Sequence, residues 1–196
     1  MTSKCPVVGL LALQGDYQKH EEVLLRLDVP TIEIHSAGDF SQIDRLIIPG
    51  GESTTMLKLL KRFDLEDNFV SFAREKPVWG TCAGMILLAA KINNSGQKAF
   101  GLIDIEIDRN GYGRQYFSTV ADSQISLNGH SEKLKLVFIR APRVTRVGDK
   151  AKVLMEWNGD PVLLCQNNIL VSSFHPELTG SSLLHEYFVS KFCRNT

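Results

Sequence analysis

What most constrains this chain is the order in which short apolar runs and amphipathic segments follow one another. Val7–Leu13 reads as a buried strand, and Asp16–Leu27 as a helix with Val23, Leu24 and Leu27 on one face. Thr31–His35 and Arg45–Pro49 read as strands, Ser53–Arg62 and Glu66–Glu75 as helices. Pro77–Gly80 is a short strand and Gly84–Ile92 a helix. Strands alternating with helices in this way bury both faces of a parallel sheet, so the predicted core is a three-layer α/β fold. The second half changes character. Leu102–Ile107, Lys133–Ile139 and Ala151–Trp157 alternate apolar and polar residues. Pro161–Cys165 and Ile169–Phe174 flank the hairpin-like turn Gln166-Asn167-Asn168. These segments predict antiparallel strands added to the parallel sheet, with Ser181–Phe192 as a closing amphipathic helix.

Composition removes several function classes. Lys+Arg and Asp+Glu both number 22, so nothing marks a nucleic-acid binder or a polybasic membrane anchor. No apolar run approaches the roughly 18 residues that span a bilayer. Met1–Leu13 carries only Lys4 before its apolar stretch and no small-residue cleavage site, so it is taken as a core strand. Cys5, Cys82, Cys165 and Cys193 are scattered and form no CxxC pair, which suits free thiols in a reducing cytoplasm. Without a repeat or linker, residues 1–196 are expected to form one domain.

Open α/β sheets place their ligands at the carboxyl ends of the strands. Three segments fall there. Gly80-Thr81-Cys82-Ala83-Gly84 is a thiol nucleophile elbow between a strand and a helix. Its sharp turn lifts the sulfur clear of the sheet, the helix amino end favours a thiolate, and the Ala83 N–H is placed to donate to an oxyanion. Phe174-His175-Pro176-Glu177 follows an apolar strand. In extended chain, Glu177 and His175 point the same way, so Glu177 can hold Nδ1–H and leave Nε2 to exchange a proton with Cys82. Pro49-Gly50-Gly51-Glu52-Ser53-Thr54 has a Gly-Gly turn able to aim N–H groups outward, which suits a second oxyanion donor, assigned to Gly51. Taken singly, each pattern also fits something plainer: a buried thiol, a surface histidine, a tight turn. Arg109-Asn110-Gly111-Tyr112-Gly113-Arg114-Gln115 and Phe138-Ile139-Arg140-Ala141-Pro142 carry arginines that match a carboxylate. His20, His35, His130 and His185 lack metal-ligand spacing and are given no role.

Together these segments resemble the class I glutamine amidotransferases. More narrowly, Leu13-Gln14-Gly15, Pro49–Thr54, Gly80–Gly84, Arg109–Gln115 with Phe138–Pro142, and Ser173–Leu178 resemble glutaminase subunits of pyridoxal 5′-phosphate synthases. The resemblance implies a flavodoxin-like fold and a Cys82–His175–Glu177 triad. It implies glutamine contacts from Gly51, Glu52, Ser53, Arg109, Ile139 and Arg140. It also implies that L-glutamine is the substrate and that ammonia passes to a separate barrel-shaped synthase subunit, with no metal and no cofactor in this chain. A role for Gln14 in holding the Gly50-Gly51 turn in its productive state, as an activation switch, accords with it. The loops Pro49–Thr54 and Phe138–Pro142 argue against a glutaminase serving another pathway, and the intact triad against a non-catalytic subunit of the same fold.

Overall fold

The apolar runs of the first half form β1 (Val8–Leu11), β2 (Thr31–Ile34), β3 (Arg45–Ile48) and β4 (Val78–Thr81). The amphipathic segments between them form α1 (Tyr17–Arg26), α2 (Ser53–Arg62) and α3 (Glu66–Glu75), followed by α4 (Ala83–Leu88). The rest is mostly strand: β5 (Ala89–Ile92), β6 (Ile103–Asp108), β7 (Ser118–Leu127), β8 (His130–Ile139), β9 (Arg143–Val147), β10 (Lys152–Trp157), β11 (Asp160–Gln166) and β12 (Ile169–Ser172). A short α5 (Leu183–Glu186) runs into a π-helical turn, Tyr187–Lys191. This computed structural model describes residues 5–111, 118–127 and 130–192. The predicted loop residues Tyr112, Gly113, Arg114 and Gln115, and Cys193, lie outside the described residues.

The main sheet has seven strands in the order β10-β11-β12-β4-β3-β1-β2. From β12 to β2 every pairing is parallel, while β10 and β11 are added antiparallel. Read from the β2 edge, the parallel part has the 2-1-3-4-5 order of flavodoxin-like sheets, with its switch point between β1 and β3. Strand alternation sorts the core into two layers. Leu46 and Ile48 of β3 face a cluster with Met56, Leu60, Phe69 and Leu87 from α2, α3 and α4. Ile47 of β3 and Trp79 of β4 face the opposite cluster, with Leu24 of α1, Leu184 and Phe188 from the C-terminal helix, and Leu136 of the β7–β8 hairpin. The three-layer expectation is met.

Several sequence expectations need correction. The helix predicted over Gly84–Ile92 ends at Leu88, and Ala89–Ile92 is a strand paired parallel with β6. Carbonyls of Leu87, Leu88 and Ala89 accept from Phe100, Leu102 and Gly101 instead of continuing the helix. The 100–102 loop therefore captures the chain, overriding a pattern that suits either period. Ser181–Phe192 is not one regular helix but α5 plus the π-helical turn. The strand predicted to reach Phe174 stops at Ser172. Not all the late strands join the main sheet: β5-β6-β9 and β7-β8 form separate small sheets. The Gln166–Asn168 turn does join two antiparallel strands, β11 and β12, with Asn167 at φ 51°.

Gly80 and Gly84 allow α4 to lie directly on the sheet. A Cβ on Gly84 would stand 2.5 Å from the Ile48 carbonyl oxygen, and one on Gly80 would stand 2.5 Å from the Gly84 carbonyl carbon. Both neighbours are backbone and cannot swing away. Gly84→Ala should therefore cost about 1–3 kcal/mol as an overpacking change, read as a lower urea midpoint at unchanged m-value. An unchanged midpoint would mean that α4 can lift from β3 without penalty.

Candidate active site

Three neighbouring parallel strands end side by side, and each delivers one part of the site. After β4, the Cys82 backbone takes φ 46° and ψ −97°, a conformation that costs on the order of 1–3 kcal/mol for a residue with a Cβ. It is held there by the Cys82 N–H donating to the Ser172 carbonyl of β12 at 2.8 Å. After β12, the chain reaches His175, whose backbone N–H donates to the Val137 carbonyl of β8 at 2.8 Å. Pro176–Leu178 then forms a 3₁₀ turn rather than the extended chain predicted from sequence. The turn still folds the carboxylate back, and His175 Nδ1 lies 2.7 Å from Glu177 Oε1. After β3 comes the Gly50-Gly51 turn, packed so tightly that a Cβ on Gly50 would strike the His175 ring.

These ends open onto a pocket of about 610 Å³ lined by Asp16, Gly51, Glu52, Ser53, Cys82, Ile86, Arg109, Asn110, Ile139, Arg140 and His175. That volume suits a small-molecule ligand. Every residue that the family resemblance implied for glutamine lines it. Glu177 and Ala83 lie behind the wall, buried. The Cys82 sulfur is 3.8 Å from the Ile139 carbonyl oxygen, and Arg140 follows with φ 47°. Glu52 caps α2, accepting from the Thr54 N–H at 3.3 Å and the Thr55 N–H at 2.6 Å. The same carboxylate pairs with Arg109 at 2.9 Å. Partial burial works against its charge, but the hydrogen bonds from Thr54 and Thr55 outweigh that and bring its pKa down to about 2.

The charges of His175 and Glu177 are set by burial opposed by neighbours. Burial disfavours a charged His175; the Cys82 sulfur, then Glu177, outweigh it and raise the pKa to about 10. His175 Nε2 makes no hydrogen bond of good geometry among the described residues, but the Cys82 sulfur lies close enough to raise the imidazole pKa, chiefly as a hydrogen-bond acceptor. Burial also pushes the Glu177 carboxyl up, but His20 and His175 hold it below its ordinary value. An imidazolium between a sulfur and a carboxylate is the arrangement that supports a thiolate nucleophile.

Gln14 follows β1, and its Oε1 accepts from the Glu52 N–H at 3.2 Å. It thus holds the β3 turn rather than capping α1, whose N-cap is Asp16 with no side-chain bond. The Gly50 carbonyl accepts from the Asp16 N–H at 3.3 Å. Asp16, Asn110 and Ile86 line the pocket without having been singled out in the sequence. The larger omission is His20 and His185, both fully buried and next to Glu177 or to each other. The signal for His20 was its spacing: it falls three and four residues before Val23 and Leu24, on the buried stripe of α1.

A strand-end pocket holding a cysteine, a histidine and a carboxylate on this sheet is the architecture of a cysteine-dependent amidotransferase, and comparison with known proteins defines the family. The profile of the SNO glutamine amidotransferase family matches residues 10–194, and this chain belongs to that family. Its relatives narrow the group. The Pyridoxal 5'-phosphate synthase subunit PdxT of Solibacter usitatus is 47% identical over 188 residues, covering 94% of this chain and 98% of that one. The protein of the same name from Francisella philomiragia is 50% identical over 183 residues, covering 93% and 97%. A crystal structure of a glutamine amidotransferase superposes with a TM-score of 0.86 at 40% identity, covering 92% of this chain and 96% of that one. PurLQS from Thermotoga maritima, at 15% identity and a TM-score of 0.68, shares the fold.

The raised His175 pKa has a measurable consequence. The unfolded imidazole loses its proton near 6.5 and the folded one near 10, so between those values His175 is protonated in the folded chain and neutral in the unfolded one. This contribution to stability is complete below about pH 6.5 and fades as pH rises through about 10. Urea midpoints of the parent should fall relative to His175→Asn across that window. Parallel pH profiles would show that His175 is not charged in the folded state.

Proposed function

We propose that this chain hydrolyses L-glutamine to L-glutamate and ammonia through Cys82, His175 and Glu177, and that the ammonia goes to a pyridoxal 5′-phosphate synthase subunit. The carrying observation is Cys82 on its elbow at the pocket wall, coupled to a buried His175–Glu177 pair. The names of the relatives, which span this chain almost end to end, support the pathway. The whole of 1–196 is taken as one amidotransferase domain, and no helix of the described residues is long and apolar enough to cross a membrane.

The chemistry follows from the charges. The Cys82 thiolate attacks the carboxamide carbon, and the carbonyl π electrons move to oxygen. The resulting oxyanion is met by the N–H groups of Gly51 and Ala83. The intermediate collapses as His175 Nε2–H protonates the departing nitrogen, releasing ammonia and leaving a γ-glutamyl thioester on Cys82. His175, now neutral, takes a proton from water as that water attacks the thioester. Collapse of the second intermediate releases glutamate and returns thiolate and imidazolium. Glu177 stays ionised throughout, holding Nδ1–H and stabilising the cation.

Glutamine brings an ammonium and a carboxylate, and the pocket mouth offers the opposite charges in Glu52 and Arg109. Their mutual ion pair is partly exposed, a class worth only about 0–1 kcal/mol. A zwitterion can therefore exchange into it at little cost, with Ser53, Ile139 and Arg140 completing the wall.

Gln14 and Gly50 supply the activation switch. A trans peptide points its C=O and N–H in opposite directions. With the Gly50 carbonyl turned to the Asp16 N–H, the Gly51 N–H of that same peptide is directed away from the Gly15–Asp16 turn. Flipping this peptide would bring a carbonyl toward the oxyanion and disable the site. Glycine permits the flip at low steric cost, and a bias of a few kcal/mol from a docked barrel-shaped synthase suffices to set the population.

Two outcomes test the proposal. Cys82→Ala should release no ammonia from glutamine in the presence of the synthase subunit while keeping the parent's melting temperature within a few degrees; continued release would remove Cys82 from the reaction. Gln14→Ala should bind the synthase subunit normally yet lose most of the activation it confers, measured as glutamate production with and without it. Full activation of that variant would place the switch elsewhere.

A further inference from the structure

Behind the triad lies a second pair of histidines for which the reaction above has no use. His20, from the buried stripe of α1, and His185, from α5, are both fully buried. His20 Nδ1 and His185 Nε2 are 2.9 Å apart. His20 Nε2 lies 3.4 Å from both Glu177 Oε2 and Thr81 Oγ1. The Trp79 ring meets both imidazoles edge-on, at 5.7 and 5.0 Å between centroids. We infer that His20 is a positioning residue for the glutaminase reaction, directing an Nε2–H at the far oxygen of Glu177, and that His185 fixes the tautomer that makes this possible. This rests on the proposed triad reading.

The tautomers follow from partners at both ends. His185 Nδ1 is buried with no hydrogen-bond partner among the described residues. An orphaned buried N–H costs more than an orphaned lone pair, so Nδ1 carries the lone pair and Nε2 the proton. His185 therefore donates to His20 Nδ1, which must accept, leaving the His20 proton on Nε2. At the other end, the Thr81 hydroxyl donates to the Ile48 carbonyl at 3.5 Å, so its oxygen is free only to accept from His20. Both ends require the same His20 tautomer. Burial keeps both rings from charging: it lowers the His20 pKa despite Glu177 and Asp16, and lowers that of His185 further, with His20 and Arg26 adding to it.

Glu177 Oε2 accepts no well-aligned hydrogen bond, and the shared His20 proton is directed toward it at ion-pair range. Without that donor, no side-chain N–H or O–H among the described residues would face that oxygen, and the carboxylate would gain by rotating or taking up a proton. Either change loosens its hold on His175. The charged and titratable groups facing Glu177 are His175, His20 and, from the turn before α1, Asp16.

Two polar substitutions separate positioning from packing. Asn places an amide near the His20 Nδ1 position, preserving the contact to His185 but not the donor to Glu177. Gln places its amide nitrogen near the Nε2 position and restores that donor. Assayed for glutamate production with the synthase subunit present, His20→Asn should lose about tenfold in kcat with little change in KM, the scale of lost orienting partners. Its acid limb of kcat/KM should move to higher pH, because Glu177 then protonates more easily. His20→Gln should recover most of the rate and the parent's pH profile. Parent-like kinetics in His20→Asn, or a loss in His20→Gln as large as in His20→Asn, would overturn the inference while leaving the triad reading intact. A parent that turns over no glutamine would overturn both. Should His20→Asn fail to fold, His185→Leu reads the same coupling, since it frees the His20 tautomer: a lowered kcat with the same acid-limb shift is expected, and a parent-like profile overturns the inference.

Discussion

Everything in the site depends on three adjacent parallel strands, β3, β4 and β12, ending at one level. Parallel pairing gives each strand the same direction, so the turns that leave them converge. The bond from the Cys82 N–H to the Ser172 carbonyl ties the elbow to the strand that leads to His175. The Gly50-Gly51 turn comes from the other neighbour, and Gly50 has no Cβ because the His175 ring occupies that space. Cys82, His175 and the Gly50-Gly51 turn are therefore not three loops that happen to meet. They are three consecutive positions along the edge of one sheet, and the strained backbone at Cys82 is held by the pairing around it.

The rest of the molecule secures that edge. α4 lies against β3 at Gly84 and against β4 at Gly80, which leaves no slack under Cys82. β8 fixes the His175 backbone through Val137 and carries Ile139 and Arg140 to the pocket. The charge arrangement is equally layered: a half-exposed Glu52–Arg109 pair at the mouth, a sulfur–imidazolium–carboxylate line at the wall, and neutral imidazoles behind. Charge is placed where solvent or a partner can stabilise it. The deepest layer is polar but uncharged, as a low-dielectric interior requires.

Much of this was legible in the sequence because it is local. The parallel core, the elbow around Cys82, the His175–Glu177 spacing and the Gly-Gly turn each occupy a few consecutive residues whose chemistry points one way. What escaped was set by contacts between distant segments. Ala89–Ile92 carries a helix-compatible pattern and becomes a strand because β6 and the 100–102 loop take its backbone bonds. Pro176–Leu178 bends where extended chain was expected, yet delivers the same pairing of Glu177 with His175. His20 and His185 are 165 residues apart, so no spacing rule relates them. Only the fold makes them neighbours, and only His20's place on an apolar stripe marked it as unusual.

The central claim is that Cys82 attacks glutamine and carries the acyl group. The direct measurement is an acid quench of the chain turning over glutamine with its synthase partner, followed by mass spectrometry of its cysteine peptides. The account predicts a transient γ-glutamyl group on the peptide containing Cys82 and none on those containing Cys5 or Cys165. Sustained ammonia release with the acyl group on another cysteine would contradict it.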